Sequence, residues 1–240
     1  MKTLITWAFL GLTILSTAST QAQTVDEIVN KHIDAMGGKA MLTSIKTVYK
    51  ESSVDVMGNE APSITYIING KAYRNELEFG GQKIIQCVTD KAGWSVNPMA
   101  GQTTPTAMTE DLVKASQPQL EVGGPLLDYA AKGYKVEMIG KDTAGGLTYK
   151  LRLTTKEGMV MTFYIDSKTW YITKSVNKVN AGGQEMETEV TFSDYKKTEN
   201  GYVMSYSQSI TLPQVTLNIT HKKIEVNKAI DPAIFEMPKS

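Results

Sequence analysis

The stretch that decides the fold is residues 147–221, in which apolar and polar side chains alternate through a series of short runs. The first two runs read LTYKLRLT (147–154) and MVMTFYID (159–166), and the pair Glu157-Gly158 lies between them. Three further runs of the same kind lie at 185–192, 202–207 and 215–220. A period of two places successive side chains on opposite faces of a strand, so each run predicts a strand with one apolar face. Short connections join antiparallel neighbours, and the stretch therefore predicts one large antiparallel sheet.

The residues before this stretch predict further strands of the same sheet. Alternating or apolar runs lie at 45–56, 63–68, 71–79, 82–89 and 94–96. The pairs Asn69-Gly70 and Gly80-Gly81 are typical of tight hairpin turns, and Asp90-Lys91 indicates a third turn. The sequence thus predicts five strands in its first half and five or six in its second half.

Residues 24–36 predict an amphipathic helix that packs one apolar stripe on another surface. Thr24 and Glu27 have the spacing of a capping box, and the pair Gly37-Gly38 is typical of a helix end. His32 falls on the polar side of the stripe, so we expect it to be solvated rather than to act as a ligand.

A helical insert interrupts the predicted sheet. Residues 97–106 are rich in Pro, Gly and Thr and predict a loop, and residues 109–114 predict a short helix. Residues 125–132 start with proline and are followed by Gly133, which predicts a second helix. The apolar residues of the insert need a surface for burial, and the apolar face of the sheet is the large one available. A curved sheet covered by few short helices leaves an apolar cavity, which is a typical lipid site.

The N-terminal residues 1–22 have the pattern of a cleavable secretory signal peptide, with Lys2, an apolar run at 4–15 and small residues before Gln23. The alternative is an uncleaved anchor, although the apolar run is short for a membrane span. Residues 23–240 are then expected to form a single soluble domain. The chain has 25 basic and 25 acidic residues, which disfavours nucleic acid as a partner.

Catalytic motifs are not recognisable in this sequence. The two histidines, His32 and His221, lie in unrelated contexts, and the common motifs for nucleophiles, zinc and phosphate do not occur. Glu185, Glu187 and Glu189 alternate along one predicted strand, which would suit a calcium site or simply a solvated face. We therefore expect no catalytic residue, no metal and no cofactor. The single cysteine, Cys87, lies in an apolar run and is expected to be buried.

Twelve methionines occur in the chain, and several lie in the predicted strands and the segment before them: Met138, Met159, Met161, Met186 and Met204. Flexible thioether side chains adapt to variable apolar ligands, but they also fill ordinary cores. The predicted cavity favours the interpretation that these methionines contact an apolar ligand.

Three motifs occur in order along the chain. Residues 89–98 read TDKAGWSVNP, residues 164–174 read YIDSKTWYITK, and the end of the chain carries Asn227, Asp231 and Phe235-Glu-Met-Pro. These resemble the Asp-Gly-Lys-x-x-Trp turn with its Asn-Pro, the Ile-Asp-x-x-Thr hairpin and the closing Asn, Asp and Phe-x-x-Pro of the periplasmic lipoprotein-carrier superfamily of the LolA, LolB and RseB type. The sequence is identified as a divergent member on this basis.

The resemblance implies a mainly β (α+β) fold, in which a strongly curved antiparallel sheet forms an unclosed β-barrel with an N-terminal helix and a short helical lid. It also implies a periplasmic, non-enzymatic protein that shields lipid or lipoprotein acyl chains and exchanges them with membrane-associated donor or acceptor proteins. One feature departs from the family pattern. The carrier's lid-holding arginine has no equivalent here, because Asn69 and Gly70 stand closest to its position and Arg74 does not match it.

The expected ligand-binding residues of the apolar cavity and lid are Tyr66, Tyr73, Trp94, Leu126, Leu127, Tyr149, Met161, Phe163 and Met204. A register error of one residue would exchange the two faces of a strand. Two other functions stay open. One is a periplasmic sensor or scaffold that binds a membrane-protein partner through its rim and fills the cavity with its own side chains. The other is a hydrolytic enzyme with an unrecognised site.

Overall fold

The computed structural model describes residues 23–181, 184–212 and 215–238. The predicted signal peptide at residues 1–22 lies outside the described residues, as do Gly182-Gly183, Pro213 and the side chains of Glu185 and Met186.

The described chain forms one sheet and three short α-helices. The helices are α1 (Val25–Ala35), α2 (Lys39–Ser44) and α3 (Glu110–Ser116). The strands β1 to β13 are, in order, Thr47–Val56, Asn59–Ile68, Ala72–Phe79, Gln82–Thr89, Gly93–Asn97, Gln102–Ala107, Lys135–Asp142, Thr148–Thr154, Val160–Asp166, Ile172–Ala181, Gln184–Lys197, Val203–Thr211 and Thr216–Val226.

All neighbouring strands are antiparallel, in the order β6-β5-β4-β3-β2-β1-β13-β12-β11-β10-β9-β8-β7. Strand β1 pairs with β13 and so joins the two halves of the chain into one sheet. The edge strands β6 and β7 are not paired with each other. The predicted fold class, a curved antiparallel sheet that forms an unclosed β-barrel, is confirmed.

Helix α1 covers part of one face of the sheet, which we call the inner face. Its buried residues Ile28, Val29 and Ile33 belong to the same core cluster as Leu151 of β8 and Phe163 of β9. The predicted capping box is present: the Glu27 N–H donates to Thr24 Oγ1 (3.2 Å) and the Thr24 N–H donates to Glu27 Oε2 (3.0 Å). Because two N-terminal amides are satisfied in this way, α1 starts at a fixed position over the sheet.

The prediction that His32 is solvated is wrong. Its side chain is only 5% exposed, and Nδ1–H donates to the backbone carbonyl of Trp170 (2.8 Å). Burial lowers the pKa of His32, so the ring is neutral at pH 7. Trp170 adopts a left-handed conformation (φ +62°) and stacks on Tyr149 at 5.8 Å between ring centres. The turn at Trp170 therefore covers the side of α1 that the helix sequence predicts to be polar.

The predictions for the insert need two corrections. Residues 125–132 do not form a helix, because Asp128 has a left-handed φ of +52° and the chain passes through a series of turns. The predicted loop at 97–106 contains a 3-10 turn (Pro98–Ala100) and strand β6, which pairs with β5. Strand β7 has no counterpart among the predicted strands. The short helix at 109–114 is confirmed as α3.

The C-terminal segment, residues 228–238, covers part of the outer face of the sheet. Phe235 of its 3-10 turn is buried against Cys87 and Trp94, so the predicted burial of Cys87 is confirmed. The Trp94 Nε1–H donates to Phe235 O (2.9 Å), and Arg74 Nη1 donates to Ile234 O (2.6 Å). The segment is thus fixed by hydrogen bonds as well as by apolar packing.

The two edge strands have irregular or charged sequences. Strand β6 contains Pro105, which has no N–H to donate. Strand β7 exposes Lys135, Glu137 and Lys141 at alternating positions, and its register with β8 shifts between Met138 and Gly140.

Candidate functional site

The inner face can be followed across the sheet from strand to strand, because residues paired directly opposite each other share a face. One cross-strand row contains Met138, Leu151, Phe163, Ser175, Val190, Ile210, Leu217 and Val56. Leu151 and Phe163 belong to the core under α1 and are 0% and 6% exposed. Val190, Ile210 and Leu217, on the same face, are only half-buried. The inner face therefore has a packed end under α1 and an open end.

The open end is lined by apolar side chains that belong to neither of the two core clusters. In addition to the row above, it contains half-buried residues of β3, β4, β11 and β13: Leu77, Ile84, Phe192 and Ile219. Val54 of β1 lies opposite Ile219 and is buried. These side chains form an apolar surface that is partly accessible to solvent.

A belt of polar side chains separates the packed end from the open end on β1 and its neighbours. We define this polar belt as Lys50, Ser52, Ser63, Thr65, Asn75 and His221, which share the inner face through their pairing. Ser52 Oγ lies 2.7 Å from His221 Nδ1. Asn75 Nδ2 donates to Ser63 Oγ (2.8 Å) and to Thr65 Oγ1 (2.9 Å).

Lys50 is the charged member of the polar belt. Part of its side chain is accessible, yet the surrounding protein excludes enough water to lower its pKa to about 8. Within the described residues, its ammonium has no hydrogen-bond or ion-pair partner. Its neighbours on the paired strands, Thr65 and Ile224, carry no charge.

His221 is neutral at pH 7, because burial and the nearby Lys50 charge lower its pKa to about 3. Its Nε2 atom is buried and has no hydrogen-bond partner among the residues that the structure describes. Ser52 and His221 are close enough for a nucleophile and a base, but so weakly basic an imidazole would not activate a hydroxyl at neutral pH. The pair therefore fits a polar structural contact better than a catalytic dyad.

The structure divides the predicted site residues between the two faces of the sheet. Five of them are buried in the packed end: Leu126, Tyr149, Met161, Phe163 and Met204. Tyr73 and Leu127 are half-buried against the same cluster. Tyr66 and Trp94 lie on the outer face instead, beside the C-terminal segment.

The position of Tyr66 and Trp94 corrects their prediction as lining of the inner cavity. Tyr66 pairs with Arg74, whereas its neighbour Ile67 pairs with Tyr73, so Tyr66 and Tyr73 point to opposite faces. The run around Tyr66 is apolar on both faces, because the C-terminal segment covers the outer one. A period-two argument cannot choose a face in such a run.

Lys50, Ser52 and His221 were not among the predicted site residues. A signal for two of them exists in the sequence, since Val48, Lys50, Ser52 and Val54 occupy one face of a strand that is otherwise apolar. Polar residues at positions expected to face a core are a sign of function or of a polar network.

Two cavities of the described structure lie at other places. One of about 980 Å³ lies beside α3 and the β8–β9 turn, and its lining combines Lys114, Arg152 and Glu157 with Leu120 and Met159. A second, of about 740 Å³, lies on the outer face under the C-terminal segment, between Tyr66, Arg74 and Ile234. Neither is the apolar cavity predicted between the sheet and α1, since that space is filled by side chains of the packed end.

Two further properties bear on the possible chemistry. The parts of the chain that the structure describes contain no group of three or more His, Cys, Asp or Glu side chains placed to hold a metal ion. Among the same residues, no helix is both long enough and apolar enough to cross a membrane.

Comparison with known proteins shows similarity at the level of structure. No protein-family model matches the sequence, and no curated protein matches it. A LolA superfamily protein from Nitrosomonas europaea superposes with a TM-score of 0.59 at 8% identity, over 90% of this chain and 98% of that one. A DUF1329 family protein from Desulfovibrio piger superposes with a TM-score of 0.52 at 13% identity, over 88% of this chain and 97% of that one.

A putative outer membrane lipoprotein-sorting protein domain from Vibrio parahaemolyticus gives a TM-score of 0.50 at 11% identity, over 87% of this chain and 94% of that one. These likenesses cover nearly the whole described chain and nearly the whole of each solved protein. The chain therefore has the fold of the LolA superfamily.

Proposed function

We propose that this protein is a non-enzymatic, periplasmic binding or carrier protein for lipid or for the acyl chains of lipoproteins. The observation that carries the proposal is the open end of the inner face, where an apolar row continues out of the core and stays partly accessible to solvent. Burial of apolar surface releases about 25 cal/mol per Å². An acyl chain that covered several hundred Å² of this surface would be bound by several kcal/mol without any chemical step.

The proposed binding site is the open end. Tyr73 lies across the polar belt from it, half-buried against the packed end. Tyr149, Met161, Phe163, Met204, Leu126 and Leu127 form the wall of the packed end. They would contact a ligand only after α1 or the segment 121–134 moved away. Tyr66 and Trp94 are not part of the proposed site.

The proposal includes the organisation of the chain. Residues 1–22 would direct export and be removed, and residues 23–240 would act as one domain. Membrane-associated proteins that deliver or accept the lipid are the expected protein partners, and nucleic acid is not expected. The fold of a LolA superfamily protein and of a lipoprotein-sorting domain supports this assignment.

The first test is native mass spectrometry of the protein purified from a periplasmic extract without detergent, followed by solvent extraction and lipid analysis. A co-purifying acylated species would support the proposal. A mass without ligand, together with no uptake of a fluorescent fatty-acid probe, would overturn it.

A matched pair of variants locates the site. Leu217→Asp places a charge on the open end, and Thr216→Asp places the same charge on the neighbouring exposed residue. Leu217→Asp is expected to weaken probe binding at least about tenfold, because a carboxylate in an apolar contact costs more than 1.4 kcal/mol. Thr216→Asp should bind like the unaltered protein. Equal binding by both variants would exclude the open end as the site.

A second candidate function is supported by the packed end, where α1 fills the inner face with the protein's own side chains. A protein of this kind would act as a sensor or scaffold that binds a membrane-protein partner through its rim. Ligand-free protein that takes up no lipid but forms a defined complex with a membrane protein would favour this function over the first.

A further inference from the structure

Lys50 presents an unusual combination of location and charge. It lies on the inner face two residues from Val48, which is buried under the helices, and four residues from Val54, which is buried at the open end. An ammonium group in such surroundings is normally paired, because an unpaired charge away from water is costly. No carboxylate pairs with it in the described chain.

His221 provides a second and independent indication of a missing partner. It is nine-tenths buried, and within the described chain its Nε2 atom makes no hydrogen bond, although its Nδ1 atom contacts Ser52. A buried polar atom without a partner calls for an explanation, and an absent ligand is one of the few available. The Lys50 charge is close enough to affect the ionisation of His221, so the two groups lie in one region.

The polar belt adjoins the apolar open end along the same strand. From Lys50 to Val56 strand β1 rises by about 20 Å, and its inner positions change from polar to apolar over that distance. A ligand that follows the strand would place a polar group at Lys50 and His221 and an apolar chain against Val54, Ile219 and Leu217.

We propose that the polar belt binds the carboxylate of a long-chain fatty acid, with the Lys50 ammonium as its counter-ion and the acyl chain along the open end. This proposal rests on the lipid-binding function proposed above and names its ligand class. The polar belt supplies one positive charge, from Lys50, since His221 is neutral. One charge matches a carboxylate, whereas a phosphate monoester carries nearly two negative charges and is held by several cations.

The test compares three ligands that share one chain length: palmitate, methyl palmitate and hexadecyl phosphate. Affinities are measured by displacement of a fluorescent fatty-acid probe at pH 7. The unaltered protein should bind palmitate at least about tenfold more tightly than the methyl ester, because a charge-assisted hydrogen bond is lost with the ester.

The variant Lys50→Met removes the charge and keeps an apolar stem of similar length. It should lose the preference for palmitate and still bind the methyl ester, and that retained binding shows that the variant is folded. The matched control is Lys223→Met, since Lys223 is an exposed lysine on the adjacent strand with Glu225 as its partner. The control should keep the preference.

The outcomes separate the two proposals. Equal binding of palmitate and the ester by the unaltered protein, or an unchanged preference in Lys50→Met, overturns the carboxylate site and leaves acyl-chain binding intact. Tighter binding of hexadecyl phosphate than of palmitate also overturns it, in favour of a phosphate head group. No binding of any of the three ligands overturns the lipid-binding function itself.

Discussion

The two ends of the inner face have the same kind of sequence but different surroundings. Leu151 and Leu217 are leucines on one cross-strand row, yet the first is fully buried and the second is only partly buried. The difference is what lies above them. Helix α1 belongs to the same core cluster as the first, whereas the second belongs to neither core cluster of the described residues. Strand sequence alone therefore defines the apolar face, and the position of the covering elements decides which part of it is a core and which part is available.

The size of α1 explains why the cover is incomplete. Its 11 residues span about 16 Å, since an α-helix rises 1.5 Å per residue. The sheet has 13 strands, and at about 4.8 Å per strand it is roughly 60 Å wide. The helix can cover three or four strands, so an apolar surface continues beyond it.

The largest expected difference between the two ends is in stability. Leu151→Ala should lower the free energy of unfolding by about 2–5 kcal/mol, because it leaves a cavity in a closely packed core. Leu217→Ala should lower it by less than about 1.5 kcal/mol, because the side chain is only partly buried. Urea unfolding of the two variants provides the measurement. Equal losses would show that the open end is packed as tightly as the other.

His221, in the polar belt between the two ends, should make the protein sensitive to acid. The pKa of His221 is about 3 in the folded protein and about 6.5 in the unfolded chain, so the unfolded chain binds more protons between these values. Stability due to this group is fully present above pH 6.5 and is lost as the pH falls, at up to about 1.4 kcal/mol per pH unit.

The variant His221→Gln removes this titration. Between pH 7 and pH 4.5, its free energy of unfolding should fall by about 2 kcal/mol less than that of the unaltered protein, as urea unfolding at the two values would measure. His32 is present in both proteins, so its contribution to the pH dependence cancels in the comparison. An equal fall in the free energy of unfolding in the two proteins would mean that His221 is accessible to water.

How much of this arrangement the sequence predicts depends on the range of the interactions. The strands follow from alternation within each run, and the capping box of α1 follows from Thr24 and Glu27. The burial of His32 depends on the turn at Trp170, more than a hundred residues away. The outer location of Trp94 depends in the same way on Phe235. Neither partner leaves a sign in the local pattern.

Local backbone geometry accounts for the wrong prediction of a helix at residues 125–132. Residues 125–132 have the composition of a helix, with Pro at the start and Gly after the end. A single left-handed residue, Asp128, is enough to prevent it. Its carboxylate contacts Lys39 Nζ at 2.5 Å, a residue of α2 that the sequence does not relate to it.

Removal of the Lys50 charge should stabilise the ligand-free protein. The folded-state pKa of about 8 lies below the unfolded value near 10.5, so the partly desolvated ammonium destabilises the fold below pH 8. Lys50→Met is expected to raise the free energy of unfolding at pH 7 by roughly 1–3 kcal/mol. The gain should shrink as the pH rises from 8 to 10.5, because Lys50 then loses its proton in the unaltered protein.

Lys223→Met serves as the control in the same urea measurements, since its charge is exposed. A gain in that variant, or a gain in Lys50→Met that does not depend on pH, would contradict the assignment of the effect to a desolvated charge.

The smallest expected effect concerns helix α1, which covers the packed end. Thr24→Ala removes the side-chain cap of α1 and should cost about 1 kcal/mol. Hydrogen exchange should become faster in α1, while the amides of β12 and β13 at the open end should be unaffected. Faster exchange at both ends would mean that α1 supports the whole inner face rather than one part of it.

The unpaired edge strands have a consequence for how such a protein behaves in a crowded compartment. An open sheet exposes rows of free N–H and C=O groups, and these can add strands of a second molecule until a fibril grows. Pro105 interrupts one edge, while Lys135, Glu137 and the register shift in β7 disturb the other. The sheet can therefore remain unclosed without polymerising.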